Sequence, residues 1–450
     1  MTFNYFHKII ARITKFIRNG RKQKNSVELF LTDDVYGISR DLPLNYVVRK
    51  SVDNILIDNL KRGKHIVIFG SSKQGKTCLR KSCLDSGDYK TVHCQNNWDL
   101  ANLNAAILKA AGYEITQSTK TSVTGTKKIK AIFKAQVQNI GTEVGSQDEK
   151  QETFEKETKT IELDIEDVND IILALKSLEF DKFIVLEDFH YLPTESQKNF
   201  SFALKAFHES SNFKFIIIGV WLEENRLIVH NGDLIGRVIS VNADRWAKHE
   251  LLEVINNGAK LLNINFSKDF INTLLNESYD SVYIVQEVCN NACKSQNITE
   301  TQKELKEIGN NIDVSNLIKS VVSQQDARYR AFIAHFSEGF QDTKFEMYKW
   351  LLYPILTAEL AELENGLSYY HIRDKIKEKH PNRENLNIGN LTQSLKYVSS
   401  LQVKKNIKPI ILDYDETNKK LNIVDKGFYI WLDNQNRTEL LDTANIDLFG

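Results

Sequence analysis

The chain has 450 residues, 42% of them hydrophobic and 26% charged, which excludes a disordered or fibrous protein and leaves room for two or three domains with real cores. Lys plus Arg equals Asp plus Glu at 59 each, so any attraction to nucleic acid or membrane must come from local patches rather than overall charge. Five cysteines without a paired C-x-x-C spacing argue for a reducing cytoplasm, no apolar run approaches the ~20 residues of a spanning helix, and no signal-peptide cleavage pattern is present.

Residues 1–27 carry Lys8, Arg12, Lys15, Arg18, Arg21, Lys22 and Lys24 and no acid, while Phe6, Ile9, Ile10, Ile13, Phe16 and Ile17 fall at helical spacing. A basic amphipathic helix of this kind lies on an anionic membrane, serves as a presequence, or docks on a partner or on the chain's own body. The Ile-rich stripe and the scarcity of Ser favour docking. A helix with Val52, Ile55, Leu56 and Leu60 on one side follows, closed by Lys61-Arg62-Gly63-Lys64.

His65 to Phe69 reads as a short buried strand, and Gly70-Ser71-Ser72-Lys73-Gln74-Gly75-Lys76-Thr77 after it fits the eight positions of G-x-x-x-x-G-K-[ST] without a mismatch. Cys78 to Leu84 continues as a helix. Gly70 and Gly75 let the chain curl so that successive N–H groups and the helix N-terminus face one small volume that favours polyphosphate. Lys76 is expected on the β and γ phosphates and the Thr77 hydroxyl on Mg²⁺, with ATP as the ligand and Cys78 at the edge of the same site.

Tyr89 to Gln95 reads as a second strand and Leu100 to Gly112 as an amphipathic helix. Residues 115–166 break the rhythm: Lys120, Lys127, Lys128, Lys130 and Lys134 precede Glu143, Asp148, Glu149, Glu152, Glu155 and Glu157. Alternation over Ile129, Ala131, Phe133, Ala135 and Val137 suggests part of a hairpin in this insertion, and the acidic half is expected as a loop. Asp167 to Leu178 is helical, and Lys182-Phe-Ile-Val-Leu-Glu-Asp188 is a buried strand ending in two carboxylates. At such a strand end one acid holds Mg²⁺ through water and the other orients the attacking water. Glu187 stands at the metal-side position and Asp188 at that of the base, and a one-residue shift of the strand end exchanges them. His190 follows and receives no assignment. Further strands are expected at Lys214 to Gly219 and Val238 to Val241, with Arg237 before the latter. Strands alternating with helices after a phosphate loop predict an α/β fold, a mostly parallel sheet with helices on both faces.

This order resembles the AAA+ and STAND group of P-loop ATPases, most closely the origin-recognition-type branch, over about residues 36–300. The resemblance implies an ATPase domain at 31–245 after the helix of 1–30, and a small helical lid with linker at 246–340. It implies that Tyr46, Val47 and Arg49 frame the adenine, with Val48 where glycine is usual. It also implies that Arg237 acts as a finger on a neighbouring protomer in a homo-oligomer, the alternative being a salt bridge or helix-end contact. Glu-Asp in place of Asp-Glu, Gly219 in place of a polar sensor, and no arginine in Tyr279 to Gln286 suit a slow nucleotide switch.

Past Asp313 the pattern predicts one long helix to Phe340, a helix at Phe345 to Leu360, helices at Tyr369 to His380 and Ile388 to Leu401, and strands at Ile407 to Asp413 and Lys420 to Asp425. Helices followed by a hairpin are a winged-helix plan over 341–450. Between Ser368 and Lys408 nine Lys or Arg face three Asp or Glu, a net of +6. A recognition helix with Asn387, Asn390, Gln393, Ser394 and Lys396 beside a basic wing would suit a major groove, whereas protein docking is the other use of such a module. Two functions stay open: a switch coupling Mg·ATP to DNA or partner binding, in DNA transactions or phage defence, or a nucleotide-bound scaffold that docks an effector protein.

Overall fold

The structure, a computed structural model, describes residues 29–38, 41–121, 127–138, 154–386 and 388–447. The basic segment 1–27 lies outside them. The strands in chain order are β1 (His65–Phe69), β2 (Tyr89–His93), β3 (Glu114–Thr121), β4 (Lys127–Gln138), β5 (Phe154–Asp164), β6 (Phe183–Glu187), β7 (Phe215–Gly219), β8 (Val238–Asn242), β9 (Ile264–Phe266), β10 (Lys306–Ile308), β11 (Leu367–Ser368), β12 (Leu412–Asp415) and β13 (Lys420–Ile423).

β1, β2, β6, β7 and β8 form one all-parallel sheet in the order β2-β6-β7-β1-β8. Every residue of β1 and β7 is buried, as continuous apolar strands covered on both faces must be. Leu103, Ile107, Ile171, Leu175, Phe200 and Leu204, from the helices Leu100–Ala111, Val168–Ser177 and Thr194–Ser210, cover one face. Val52, Leu56 and Leu79, from Lys50–Leu60 and Lys76–Cys83, cover the other. The predicted α/β layering is therefore present.

The insertion is an antiparallel sheet in the order β3-β4-β5. Glu155 and Glu157 pair with Val137 and Ala135 in it, so this part of the acidic half is strand, not loop. Elsewhere in the same ladder Lys130 lies across from Glu162, 3.6 Å apart, as cross-strand pairing favours. Glu143, Asp148, Glu149 and Glu152 lie outside the described residues.

The region expected as a lid holds Lys248–Leu262, Lys268–Glu277 and Val282–Ser295 with the two-stranded β9-β10 sheet. The long helix expected after Asp313 is two, Val314–Ser323 and Asp326–Ser337, broken at Gln324 and Gln325. After Met347–Thr357 and Leu360–Glu364, the C-terminal module runs β11, Tyr369–Lys379, Ile388–Lys396, Val398–Lys404 and the β12–β13 hairpin. β11 adds to that hairpin in the order β11-β13-β12. One apolar cluster runs from Leu251 and Ile284 of the lid through Phe332 and Trp350 to Leu412 and Phe428, so lid and C-terminal module share a core. Among the described residues no helix is long and apolar enough to cross a membrane.

Candidate nucleotide site

The phosphate loop leaves the carboxyl end of β1 at Gly70, whose φ of 145° and close approach both require glycine, since a Cβ there would lie 2.8 Å from the Asp244 backbone nitrogen. Asp244 follows β8 and accepts from the Ser71 N–H at 2.6 Å. Lys73 (φ 61°) and Gly75 (φ 81°) bend the loop into a helix start that has no side-chain cap. Its first N–H groups are thereby left for an anion. Lys76 is buried, and its ammonium donates to the Gly70 and Ser71 carbonyls at 2.9 and 2.6 Å. Burial pushes its pKa down to about 8, with Asp244, Glu187 and Asp188 pulling the other way. Two contacts bring other parts of the chain onto the loop: the Ser72 N–H donates to the Val424 carbonyl at 2.7 Å, and the Lys73 ammonium lies 3.8 Å over the Tyr283 ring of the lid.

The two carboxylates emerge at the carboxyl end of β6, separated from the loop by β7. Glu187 is buried and held by Arg80, one turn into the loop helix, through Nε at 3.1 Å and a guanidinium nitrogen at 3.0 Å. Burial raises the Glu187 pKa against the pull of Arg80. Asp188 has φ 58° and an accessible side chain at the cavity. The protein packed against it raises its pKa, while His93, Lys76 and Lys408 lower it. His190 lies in the next turn, fully enclosed, with neither ring nitrogen partnered and its ring 4.0 Å from that of Tyr191. Burial together with Lys76, Arg226 and Lys408 pushes its pKa well below the ordinary value. Lys408 stands 4.7 Å over the Tyr191 ring.

A cavity of about 360 Å³ runs between these groups and the lid. Ser72 to Cys78, Glu187, Asp188, His190, Gly219 and Pro409 line it, together with Tyr46, Val47, Arg49, Trp246, Val254 and Gln286. Arg49 is buried with its guanidinium 4.1 Å over Trp246 and donates to the Ala243 and Arg245 carbonyls. Tyr46 donates to Asp53 at 2.7 Å. Their polar ends are therefore spent on the protein, and they offer the cavity apolar surface. Asn45 and Gln286 exchange two amide hydrogen bonds of 2.8 and 2.9 Å, tying this segment to the lid where the resemblance would put an arginine. Cys78 is half-buried, and burial raises its thiol pKa.

Arg237 is not in this cavity. It precedes β8, where its carbonyl accepts from His65 N–H at the start of β1, a full strand length from the loop. It pairs with Glu209 at 2.7 Å and caps the Asp233 carbonyl. Sequence reasoning missed Arg80, Asp244, Trp246, Lys408 and Val424. Only Arg80, four residues after Lys76, carries a local signal of spacing; the others arrive through the tertiary fold.

A nucleotide fits these residues: the uncapped helix start and Lys76 suit phosphate, and the buried, unpartnered His190 nitrogens and Gln74 amide call for a polar ligand. Thr77, Glu187 and Asp188 would be the oxygen donors for a Mg²⁺ ion. Among the described residues no group of three or more His, Cys, Asp or Glu is placed to hold a metal, so the ion would take most ligands from phosphate and water, as Mg²⁺ commonly does.

No family model matches the chain, and no curated protein matches it in sequence. Among solved structures it is similar to a Walker-type ATPase of Pyrococcus abyssi, at 12% identity over 87% of this chain and 99% of that one, with a TM-score of 0.50. Looser likenesses, both at 11% identity and a TM-score of 0.41, are to the ORC1 protein of Aeropyrum pernix solved in complex with DNA, over 95% of this chain and 99% of that one, and to the ORC2 protein of the same organism solved in ADPNP–ADP complexes, over 87% and 91%. The parallel sheet, its phosphate loop and the Walker-type likeness together give the chain the fold of a P-loop ATPase.

Proposed function

We propose that the chain is an ATP-dependent switch in which Mg·ATP, bound between sheet and lid, governs how the C-terminal module sits and what it engages. One observation carries this reading: the phosphate loop, the acids of β6, the lid and Pro409 of the C-terminal module all line a single cavity. Lys76 leaves its own loop carbonyls for the β and γ phosphates, and the helix N–H groups hold the phosphate oxygens. Thr77 and Glu187 would hold a Mg²⁺ ion, which would supply neutralisation of charge on the transferred phosphoryl. Because Arg80 already engages Glu187, Asp188 is the acid left to orient or deprotonate the attacking water. Tyr46, Val47 and Arg49 wall the base. Arg237, facing away from its own cavity, serves the site of a neighbouring protomer in a homo-oligomer.

Of the proposed DNA-reading residues, Gln393 is exposed, Asn390 half-exposed and Ser394 buried; Lys396 pairs with Glu416 at 2.6 Å, and Asn387 lies outside the described residues. The wing is not basic. It carries Asp413, Asp415 and Glu416, and its tip docks on the ATPase domain through Thr417 and Glu223, 2.7 Å apart. Duplex DNA would therefore be met by the helices Tyr369–Lys379 and Ile388–Lys396 rather than by the hairpin. The docked wing also favours the second reading, a nucleotide-bound scaffold for an effector protein; whether the setting is DNA transactions or phage defence then rests with that partner.

Steady-state ATP hydrolysis with and without duplex DNA, at low and moderate salt, tests the proposal. The switch predicts stimulation by DNA that fades as salt rises, because phosphate contacts release counterions. Lys76→Ala is expected to abolish ATP affinity, and Glu187→Gln and Asp188→Asn to spare binding and lose turnover. Hydrolysis by Lys76→Ala at the parent rate would overturn the site, and tight ATP binding with a partner retained at high salt would favour the scaffold.

A further inference from the structure

In a parallel sheet the ligand lies outside the carboxyl ends of the strands. Here β1 supplies the phosphate loop and β6 the acids, and β7 runs between them, so the end of β7 lies under the place where a terminal phosphate would sit. That end offers no polar side chain: Gly219 has none, and Val220 after it is apolar. A Cβ on Gly219 would lie 1.5 Å from Trp221 Cζ3, so the indole fills the space and Gly219 presents only backbone.

The polar group comes instead from the turn after β6. His190 is 4% exposed, lines the same cavity, and has both ring nitrogens without a partner. An enclosed imidazole satisfied by nothing in the protein is costly unless a ligand completes it. Its neighbours name the chemistry: Lys76 and Lys408 both act on it electrostatically, and Asp188 is two residues away. These cations favour an anion at that end of the cavity.

We propose that His190 contacts the terminal phosphate of the bound nucleoside triphosphate and so lets the site distinguish triphosphate from diphosphate. The inference rests on the nucleotide reading of the cavity and deepens it. An imidazole N–H donates to a terminal phosphate oxygen, a contact that a diphosphate, ending one group earlier, does not make.

The test uses the full chain with Mg²⁺ and compares ADP with a non-hydrolysable ATP analogue by calorimetric titration, for the parent protein, His190→Ala and His190→Gln. Both variants are expected to lose about 10-fold or more in affinity for the analogue, as for a lost hydrogen bond to a charged group, while ADP affinity stays within about twofold, with Gln losing less than Ala. The ligand-free melting temperature of the variants is expected to hold or rise, because the nitrogens removed had no partner; a histidine of merely structural use would lower it. Equal losses for the two nucleotides, or no loss for either, would overturn the proposal. A parent protein that binds neither nucleotide would refute the nucleotide reading itself, and this inference with it.

Discussion

His65, at the start of β1, shows how a single buried side chain sets a pH limit. Its Nε2–H donates to the Leu204 carbonyl at 3.0 Å, and its Nδ1 accepts from Phe215 N–H at 3.2 Å. Burial lowers its pKa to about 4, with His208 adding to the shift and the Leu204 bond opposing it; a second proton would have to enter at the nitrogen already facing an N–H. The unfolded chain takes that proton near pH 6.5 and the folded one only near pH 4, so stability should fall as pH drops through this window, by up to ~3 kcal/mol. Chemical denaturation at stepped pH checks it, and His65→Asn should lack this limb. Arg80 is a second case. Its removal in Arg80→Ala leaves Glu187 buried and unpaired, which is expected to cost ~3–5 kcal/mol and to lower the unfolding midpoint measurably. Both residues are plain in the sequence; what each one faces is not, because its partners lie more than 100 positions away.

At the scale of elements, periodicity located β1, β2, β6, β7, β8 and the helices Leu100–Ala111 and Val168–Ser177 to within about two residues, because apolar strands and amphipathic helices write their burial into their spacing. It failed where two helices share one spacing. Ile318, Val322 and Tyr329, at i, i+4 and i+11, keep one helical face straight through the break at Gln324 and Gln325, so no pattern could register the turn. The insertion failed for a different reason, since cross-strand pairing of Lys130 with Glu162 depends on register and not on composition. The lid helix Lys248–Leu262 offers a sharp test of packing. Tyr36 donates to the Ile255 carbonyl at 2.6 Å and leaves no room at Gly258, where a Cβ would lie 2.3 Å from the Tyr36 ring. Gly258→Ala is therefore expected to destabilise the lid by ~1–3 kcal/mol, read as a lower melting temperature with the phosphate-loop residues untouched.

Across the whole molecule, the C-terminal module is joined to the ATPase domain by polar contacts that no local signal announces. Arg226 holds the buried Asp413 at 2.6 Å, Glu223 takes the Thr417 hydroxyl, and Val424 takes the Ser72 N–H. Val220 packs with Val403, Ile410 and Val424. Asp413→Ala leaves the Arg226 guanidinium with Glu223 at 3.6 Å and the Tyr414 carbonyl at 3.4 Å, and is expected to cost ~1–3 kcal/mol of docking, seen as faster proteolysis of the β12–β13 hairpin. In a switch it should also change the rate of nucleotide release. If release and proteolysis both match the parent protein, the module is not coupled to the loop through this pair.

What the sequence determined by itself was chemical identity and local geometry: the phosphate-loop motif from Gly70 to Thr77, the paired carboxylates at the end of an apolar strand, and the alternation that makes a parallel sheet. Those properties depend on residues within a few positions of one another. Only the tertiary structure decided that Arg80 engages Glu187 and leaves Asp188 to the cavity, that Arg237 lies away from that cavity, and that the β12–β13 hairpin is docked on the phosphate-loop half. Each of these is settled by which distant groups share a low-dielectric space, and that depends on how the layers pack rather than on any spacing along the chain.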